Sequence, residues 1–451
     1  MPVHGTAGRL PLQERLRDQR SLLIVIAVAE LIAVMVVSTV NTHDHIDGEV
    51  YRLGAKALLG GRDLYNNLPA TESGLLLPFI YPPFAAIVFA PLALIPKAAS
   101  TAVIMLVSHA ALIVTLYVVL SASTFLRAHR EKVLLVTAAV LPLATISEPV
   151  LETITYAQIN VVLMALVAVD LLWRTDGAKK LPYPRGLLIG LAAGIKLTPL
   201  VFLLLPLLRR DVRTIVASLL TFLGTVLLGF ALTFDNARRF WLHEMLASSN
   251  VSFGPKFTGD ASTYAGNQSL RSLLSKMSAP SLTIVFVLLA AIVLVLAVLG
   301  MVHAIRQRDL PMAVTINGIL GLLVSPISWS HHWVWAIPGL VLLIGAAQAK
   351  RDWALLLATT LTAGFFMMGP HWKMPQGHGL ELRWNFFEQL IGNSYVYFGL
   401  AFLLYNAVRW WRSRRTPIKP VKPVKPVKPV KPVKPVNDDP ASDAPVTAPV
   451  P

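Results

Sequence analysis

Gly186–Leu208 reads GLLIGLAAGIKLTPLVFLLLPLL, an apolar run whose one charge, Lys196, is followed three residues later by Pro199. Such a run is long enough to cross a bilayer, for which about 20 apolar residues suffice. A lysine facing lipid at mid-run costs at least about 2.5 kcal/mol, and an interior proline removes a helical hydrogen bond. The stretch therefore predicts a membrane segment broken, or folded into a hairpin, at Lys196, with the turn meeting a polar cavity. The competing reading is an ordinary tilted span from which Lys196 snorkels.

The rest of the chain agrees with a bilayer. Its 451 residues are 55% hydrophobic and only 14% charged, with a mean hydropathy of +0.61, whereas a soluble domain carries about 25% charged residues. A soluble enzyme, a secreted disulfide scaffold and a disordered chain are excluded. The absence of cysteine removes disulfides, thiolate metal sites and cysteine nucleophiles. The net charge of +16 would suggest nucleic acid in a soluble protein. Here the basic residues sit in short clusters between apolar runs, so no nucleic-acid partner is expected. These clusters are Arg127/Arg130/Lys132, Arg174/Lys179/Lys180/Arg185, Arg209/Arg210/Arg213, Arg306/Arg308, Lys350/Arg351 and Arg412/Arg414/Arg415. All six are expected to be cytoplasmic under the positive-inside rule.

The basic leader before Ser21 and the lack of a cleavage pattern after Thr39 predict a retained first helix. Further spans are expected near 99–125, 133–146, 159–173, 212–234, 282–303, 312–324, 333–347, 353–368 and 395–410. The apolar segment 80–96, which opens Ile80-Tyr81-Pro82-Pro83, is a second broken or re-entrant candidate. The expected fold is an all-α polytopic membrane protein with about 10–12 transmembrane helices. Residues 1–20 form a cytoplasmic basic N-terminus and 21–411 the membrane domain. Residues 412–451 form a disordered cytoplasmic tail, in which six Lys-Pro pairs favour an extended polyproline II rod. Keeping the basic clusters inside puts the polar connectors 41–79, 148–158, 235–280, 325–332 and 369–393 together on the outer face of the plasma membrane.

Those connectors hold the groups able to do chemistry. Asp44, Asp47 and Glu49 lie just past the first span and compete for the role of a general base; each alone also reads as a solvated loop acid or a helix cap. Ser325–Trp335 places His331 and His332 among three tryptophans, where an imidazole can donate to a phosphate; tryptophans at this depth are also what an interfacial belt supplies. Neighbouring histidines seldom converge on one ion, and no third ligand is spaced to help, so no metal is assigned. Gln158 and Asn160 open a span, Asn267-Gln268-Ser269 closes the longest outer loop, and Lys196 lies in the broken segment. Together they suit a cavity for hydroxyls and a phosphate.

The ordered set Asp47-Gly-Glu49-Val-Tyr51, Phe79-Ile-Tyr81-Pro-Pro-Phe, Tyr156-Ala-Gln158-Ile-Asn160, Ala192-Ala-Gly-Ile-Lys196-Leu-Thr-Pro199, Asn267-Gln268-Ser269 and Ser325-Pro-Ile-Ser-Trp-Ser-His331-His332-Trp-Val-Trp335 resembles the actinobacterial polyprenyl-phosphate-mannose-dependent α-1,2-mannosyltransferases. The similarity runs from about Asn41 to Trp411 and excludes the tail. It implies a C-type glycosyltransferase architecture that takes a lipid-linked sugar in the outer leaflet and inverts its anomeric centre. The acceptor would be a phosphatidylinositol mannoside, lipomannan or lipoarabinomannan, and beyond the polyprenyl-phosphate mannose donor no cofactor is implied. The family's base falls on Asp47, its His-His pair on His331 and His332, and a phosphate partner on Lys196. Gln158, Asn160, Asn267, Gln268, Glu49 and Tyr81 complete the expected substrate-binding set. Competing readings are a lipid-linked arabinofuranosyltransferase of the same envelope and a lipid-linked sugar transporter or flippase.

Overall fold

The computed structural model describes residues 20–39, 44–66, 68–173, 182–245, 261–278 and 281–415. The Lys-Pro-Val repeats and all but the last residue of the 1–20 leader lie outside these. Among the described residues every extended element is helical, and the only strand-like pairing is the isolated bridge Asn267–Trp329. The chain is an all-α polytopic membrane protein. Its long elements are α1 (Arg20–Thr39), α2 (Ile46–Leu59), α3 (Pro83–Ala93), α4 (Lys97–Ala122), α5 (Val133–Ile146), α6 (Glu148–Thr155) and α7 (Asn160–Leu172). They continue with α8 (Leu187–Ile195), α9 (Val212–Leu232), α10 (Leu270–Lys276), α11 (Leu282–Arg306), α12 (Leu310–Val324), α13 (Ala336–Lys350), α14 (Trp353–Met368) and α15 (Ser394–Arg415).

Among the described residues five helices are long and apolar enough to cross a bilayer, and six if α5, with the short turn before it, and α6, bent by 66° at Ser147, count as one broken span. Shorter apolar helices include α3, α7, α12 and α14. The final helix, α15, is long enough to cross but carries Asn406, Arg409, Arg412 and Arg414 and is not in that set. Large apolar side chains such as Leu31, Leu220, Val287 and Leu361 stay exposed on these helices, as lipid-facing positions require. Helix α1 buries only Ala33 and Val37. It is also tied to the bundle by Glu30, which accepts from Thr145 Oγ1 at 3.1 Å and lies 2.9 Å from His109 Nε2.

The Gly186–Leu208 run is broken, as its lysine and proline predict. Helix α8 ends at Ile195, Lys196 is extended (φ −146°, ψ 133°), and the chain restarts as a 3₁₀ turn at Thr198–Leu203. The break is held by close packing of α8 on α9. A Cβ on Gly190 would stand 2.5 Å from the Ser218 carbonyl, and one on Gly194 would stand 2.4 Å from Thr225 Oγ1. Small residues at i and i+4 let two helix backbones approach in a solvent that offers no hydrophobic drive between helices. Asn317 of α12 then satisfies a carbonyl freed by the 3₁₀ turn, donating to Val201 O at 2.9 Å.

The connectors are tied down by hydrogen bonds. Arg127 donates to Arg308 O at 3.2 Å, and Asp211, Asp309 and Asp352 cap α9, α12 and α14 by accepting from Thr214, Met312 and Leu355 amides. The polar connectors interlock as well. Gln268 N donates to Ser328 O at 2.7 Å and Gln268 Nε2 to Gly392 O at 2.7 Å. Trp372 Nε1 donates to Glu148 Oε1 at 2.8 Å, and Leu64 N to Asn236 Oδ1 at 2.8 Å.

Candidate functional site

The polar connectors enclose a cavity of about 400 Å³ whose lining includes Asp47, Tyr81, Gln158, Lys196, Trp329 and His332. They arrive from five segments, Trp329 and His332 sharing one. Asp47 is in the first turn of α2, whose start is docked by Gly48 N donating to Tyr156 O at 3.1 Å. The approach is close: a Cβ on Gly48 would meet Ala157 Cβ at 2.7 Å. Gln158 sits in the turn between α6 and α7, where it is buried. Its Nε2 donates to Asp47 Oδ2 at 2.8 Å, and its Oε1 accepts from the Tyr51 hydroxyl. Tyr51 is itself fully buried and lies 3.3 Å from the Tyr81 hydroxyl. An aspartate, an amide and the Tyr81 phenol thus share the lining, backed by the buried Tyr51, with the carboxylate oriented by an amide donor.

Lys196 and His332 form another part of the lining. The Lys196 ammonium lies 3.1 Å from His332 Nε2 and donates to Asn160 Oδ1 at 3.2 Å. Asn160 is held in turn by donating to His331 O at 3.0 Å, a carbonyl that also accepts from Thr153 Oγ1. Lys196 stands 5.9 Å from the Tyr81 ring centre and feels the charge of Asp47. This corner offers a compact cation and an imidazole to an anion entering the cavity.

The two histidines part company. His332 faces the cavity, whereas the His331 ring is buried and packs on Tyr156 with centroids 4.9 Å apart. Four expected substrate-binding residues are not in this lining: Asn160 stands next to it as the partner of Lys196, and the other three lie elsewhere. Glu49 is buried away from the cavity, 2.8 Å from Lys97 Nζ, and accepts from Glu72 N at 2.9 Å. The cause is helical pitch, because residues two apart on a helix do not share a face. Asn267 and Gln268 are fully buried. Asn267 Nδ2 donates to Ala261 O and its Oδ1 accepts from Ser328 N. Both amides therefore fasten one polar connector to the next and are not in the cavity lining.

Lys276, unremarked in the sequence, completes that fastening. Fully buried, it donates to Asn267 O at 2.8 Å and Asn393 Oδ1 at 3.2 Å, and lies 5.3 Å from the Trp384 ring centre. Burial pushes its pKa down to about 7, opposed by the charge of Glu381. Tyr51 also escaped notice as a site residue, although its position one turn after Asp47 was a usable signal. Phe240 and Met245 reach the cavity lining from the segment containing the π-helical turn Phe240–Glu244, for which the sequence held no cue.

Lys196 and His332 also line a second, narrower space of about 70 Å³ with Leu163, Met164, Val201 and Trp335. Val201 is shared again with an apolar groove of about 580 Å³ lined by residues such as Leu204, Leu207, Ile215 and Leu294. The Lys196–His332 pair is thus common to the polar cavity and the narrower space, and Val201 to the narrower space and the apolar groove.

Residues 79–326 match glycosyltransferase family 87. The chain is 34% identical over 378 residues, 81% of its length and 84% of the relative's, to the polyprenol-phosphate-mannose-dependent α-(1-2)-phosphatidylinositol mannoside mannosyltransferase of Mycobacterium tuberculosis. It is 33% identical over 365 residues, 78% of its length and 83% of the relative's, to the corresponding phosphatidylinositol pentamannoside mannosyltransferase of Mycolicibacterium smegmatis. A shorter match, 34% over 143 residues and 31% of either chain, is to an α-(1→3)-arabinofuranosyltransferase of Mycobacterium tuberculosis. No solved structure matches. The family match spans Tyr81, Gln158, Asn160 and Lys196, and the similarity to the mannosyltransferases covers most of the chain; this protein belongs to glycosyltransferase family 87 and is a membrane glycosyltransferase.

Proposed function

We propose that this enzyme transfers mannose from polyprenyl-phosphate mannose, in α-1,2 linkage, to a phosphatidylinositol mannoside or a lipomannan or lipoarabinomannan acceptor. The reaction is placed at the outer face of the plasma membrane, with both termini in the cytoplasm. The observation that carries the reading is that one cavity is lined by a carboxylate, Asp47, and by a lysine–imidazole pair, Lys196–His332. Transfer from a glycosyl phosphate needs a base for the acceptor and charge stabilisation for the leaving phosphate, and these groups can supply both.

In this mechanism the acceptor hydroxyl oxygen attacks the anomeric carbon while its proton passes to Asp47. The bond from that carbon to the phosphate oxygen breaks, and its electron pair leaves with the phosphate. Lys196 and His332 receive the charge that develops there. One displacement inverts the centre, so a β-linked donor yields an α-linked product, and no protein nucleophile is required. The apolar groove that adjoins the pair through Val201 suits the polyprenyl chain of the donor. Sidedness is supported by the positive-inside rule applied to the basic connectors.

The test is transfer by the purified protein in lipid nanodiscs, using polyprenyl-phosphate mannose and a phosphatidylinositol mannoside, with linkage analysis of the product. A new α-1,2-mannose is expected, and Asp47→Asn should lower the rate by about 100-fold or more while the protein stays folded. Transfer of arabinose but not mannose from the corresponding lipid phosphates would overturn the choice of donor, and full activity of Asp47→Asn the choice of base.

A further inference from the structure

Beyond Trp329, outside the lining of the 400 Å³ cavity, the polar connectors bring together aromatic rings that the mechanism above does not use. Tyr264 stands edge-on to Trp329, with centroids 6.0 Å apart, and to Trp372 at 5.9 Å. Tyr156 follows Glu152 by one helical turn, its amide donating to Glu152 O at 3.0 Å. Its carbonyl accepts from Gly48, the residue after Asp47. Glu152 is buried and acts electrostatically on the phenols of both Tyr156 and Tyr264.

All four rings are half-buried, neither sunk in the core nor free in solvent. Their positions are held from behind. Trp372 donates to Glu148, Trp329 is bridged to Asn267, and Gly266 leaves room for Trp372, whose Cη2 would stand 2.6 Å from a Cβ there. Burial, with the charges of Glu381 and Glu152, pushes the Tyr264 phenol up to about 12, so it remains a hydroxyl at physiological pH. An interfacial belt presents separate aromatic rings outward to headgroups. Here instead Tyr264 is edge-on to both Trp329 and Trp372, and the buried Glu152 carboxylate acts on the phenols of Tyr264 and Tyr156, beside a polar cavity.

We infer that Tyr156, Tyr264, Trp329 and Trp372, with Glu152, form a second carbohydrate subsite that holds the acceptor sugar preceding the one that reacts. The inference rests on the proposed mannosyl transfer. A pyranose has apolar C–H faces, which pack on aromatic rings, and hydroxyl edges, which need acceptors and donors. Rings, phenols and a carboxylate provide both, whereas an acyl chain would call for aliphatic walls alone. Trp329 lines the reaction cavity and contacts Tyr264, so the subsite is continuous with the place of transfer. The acceptor it suits is a glycan of at least two sugars.

Two measurements test this. The first is saturation-transfer NMR with soluble mannobiose and the detergent-solubilised full chain. Saturation should reach the pyranose C–H protons with the wild type and with Tyr264→Phe, which keeps the ring, and be lost with Tyr264→Leu. The second is the ratio of kcat/KM for a dimannosyl over a monomannosyl lipid acceptor, which should fall about tenfold in Tyr264→Leu and recover in Tyr264→Phe. No saturation of mannobiose by the wild type, which requires no variant, overturns the subsite. So does an unchanged acceptor ratio in a folded Tyr264→Leu. If the wild type transfers mannose to neither acceptor, the proposed reaction fails, and mannobiose binding still decides the subsite separately.

Discussion

The Lys196 ammonium lies 3.1 Å from His332 Nε2, although the two residues are 136 positions apart in the chain. An ammonium only donates, so His332 Nε2 accepts and the imidazole proton sits on Nδ1. Lys196→Met should lower kcat/KM by about 100-fold, the usual loss of one donor to developing charge. Lys196→Arg should restore only part of it, because a planar fork does not reproduce a compact cation. Initial rates at varied donor concentration check this, and an unaltered rate in Lys196→Met would remove the lysine from the phosphate site.

Gln158 acts on the reaction through Asp47. Buried between the Tyr51 hydroxyl and Asp47 Oδ2, it fixes which way the carboxylate points. Gln158→Leu should lower kcat by on the order of 100-fold, as small misplacements of a reacting group do, with little change in donor KM. A rise in donor KM at unchanged kcat would instead make Gln158 a donor-binding group.

The contact between α8 and α9 leaves no room at Gly190, where a Cβ would stand 2.5 Å from a backbone carbonyl, yet Gly224 on α9 has no atom within 4 Å of its own. Gly190→Val should cost about 1–3 kcal/mol or more through overpacking. Gly224→Ala should be neutral or gain up to about 1 kcal/mol from helix propensity. Thermal unfolding midpoints in detergent distinguish the two, and equal midpoints would contradict the close packing of the broken segment.

Lys276 gives a pH dependence of known sign. Its folded pKa is pushed down to about 7, below the value of about 10.4 for a solvated lysine. Between these values the unfolded chain holds the proton and the folded one does not, so stability rises with pH across that window and is lost as pH falls through about 7. Unfolding midpoints should climb from pH 7 to 9, and the slope should flatten in Lys276→Met. The same slope in both proteins would assign the dependence to other groups.

Local rules carried much of this structure. A lysine and a proline in an apolar run announced the break at Lys196, and the spacing Gly186-x₃-Gly190-x₃-Gly194 already contained the close contact that braces it. Asp47 and Glu49 could not be told apart in a loop but are separable once the segment is helical, since two residues of helix turn them to different sides. What the local pattern does not hold is long-range. Asn267 and Gln268 look like sugar-binding amides, and only the partners Ser328 and Gly392, distant in sequence, make them fasteners. Choosing His332 over His331 as the cavity-facing ring likewise depended on Tyr156 and Thr153, which no local pattern connects to the pair.

Because Lys196 and His332 belong to the walls of two spaces at once, they act as a bulkhead. On the proposed chemistry the sugar is delivered on one side of it while the carrier's tail stays on the other. The spent lipid phosphate can then withdraw sideways into the bilayer, while the lengthened glycan departs through the polar vestibule. On that reading carrier and glycan are held in surroundings of opposite character, with one pair of side chains common to both.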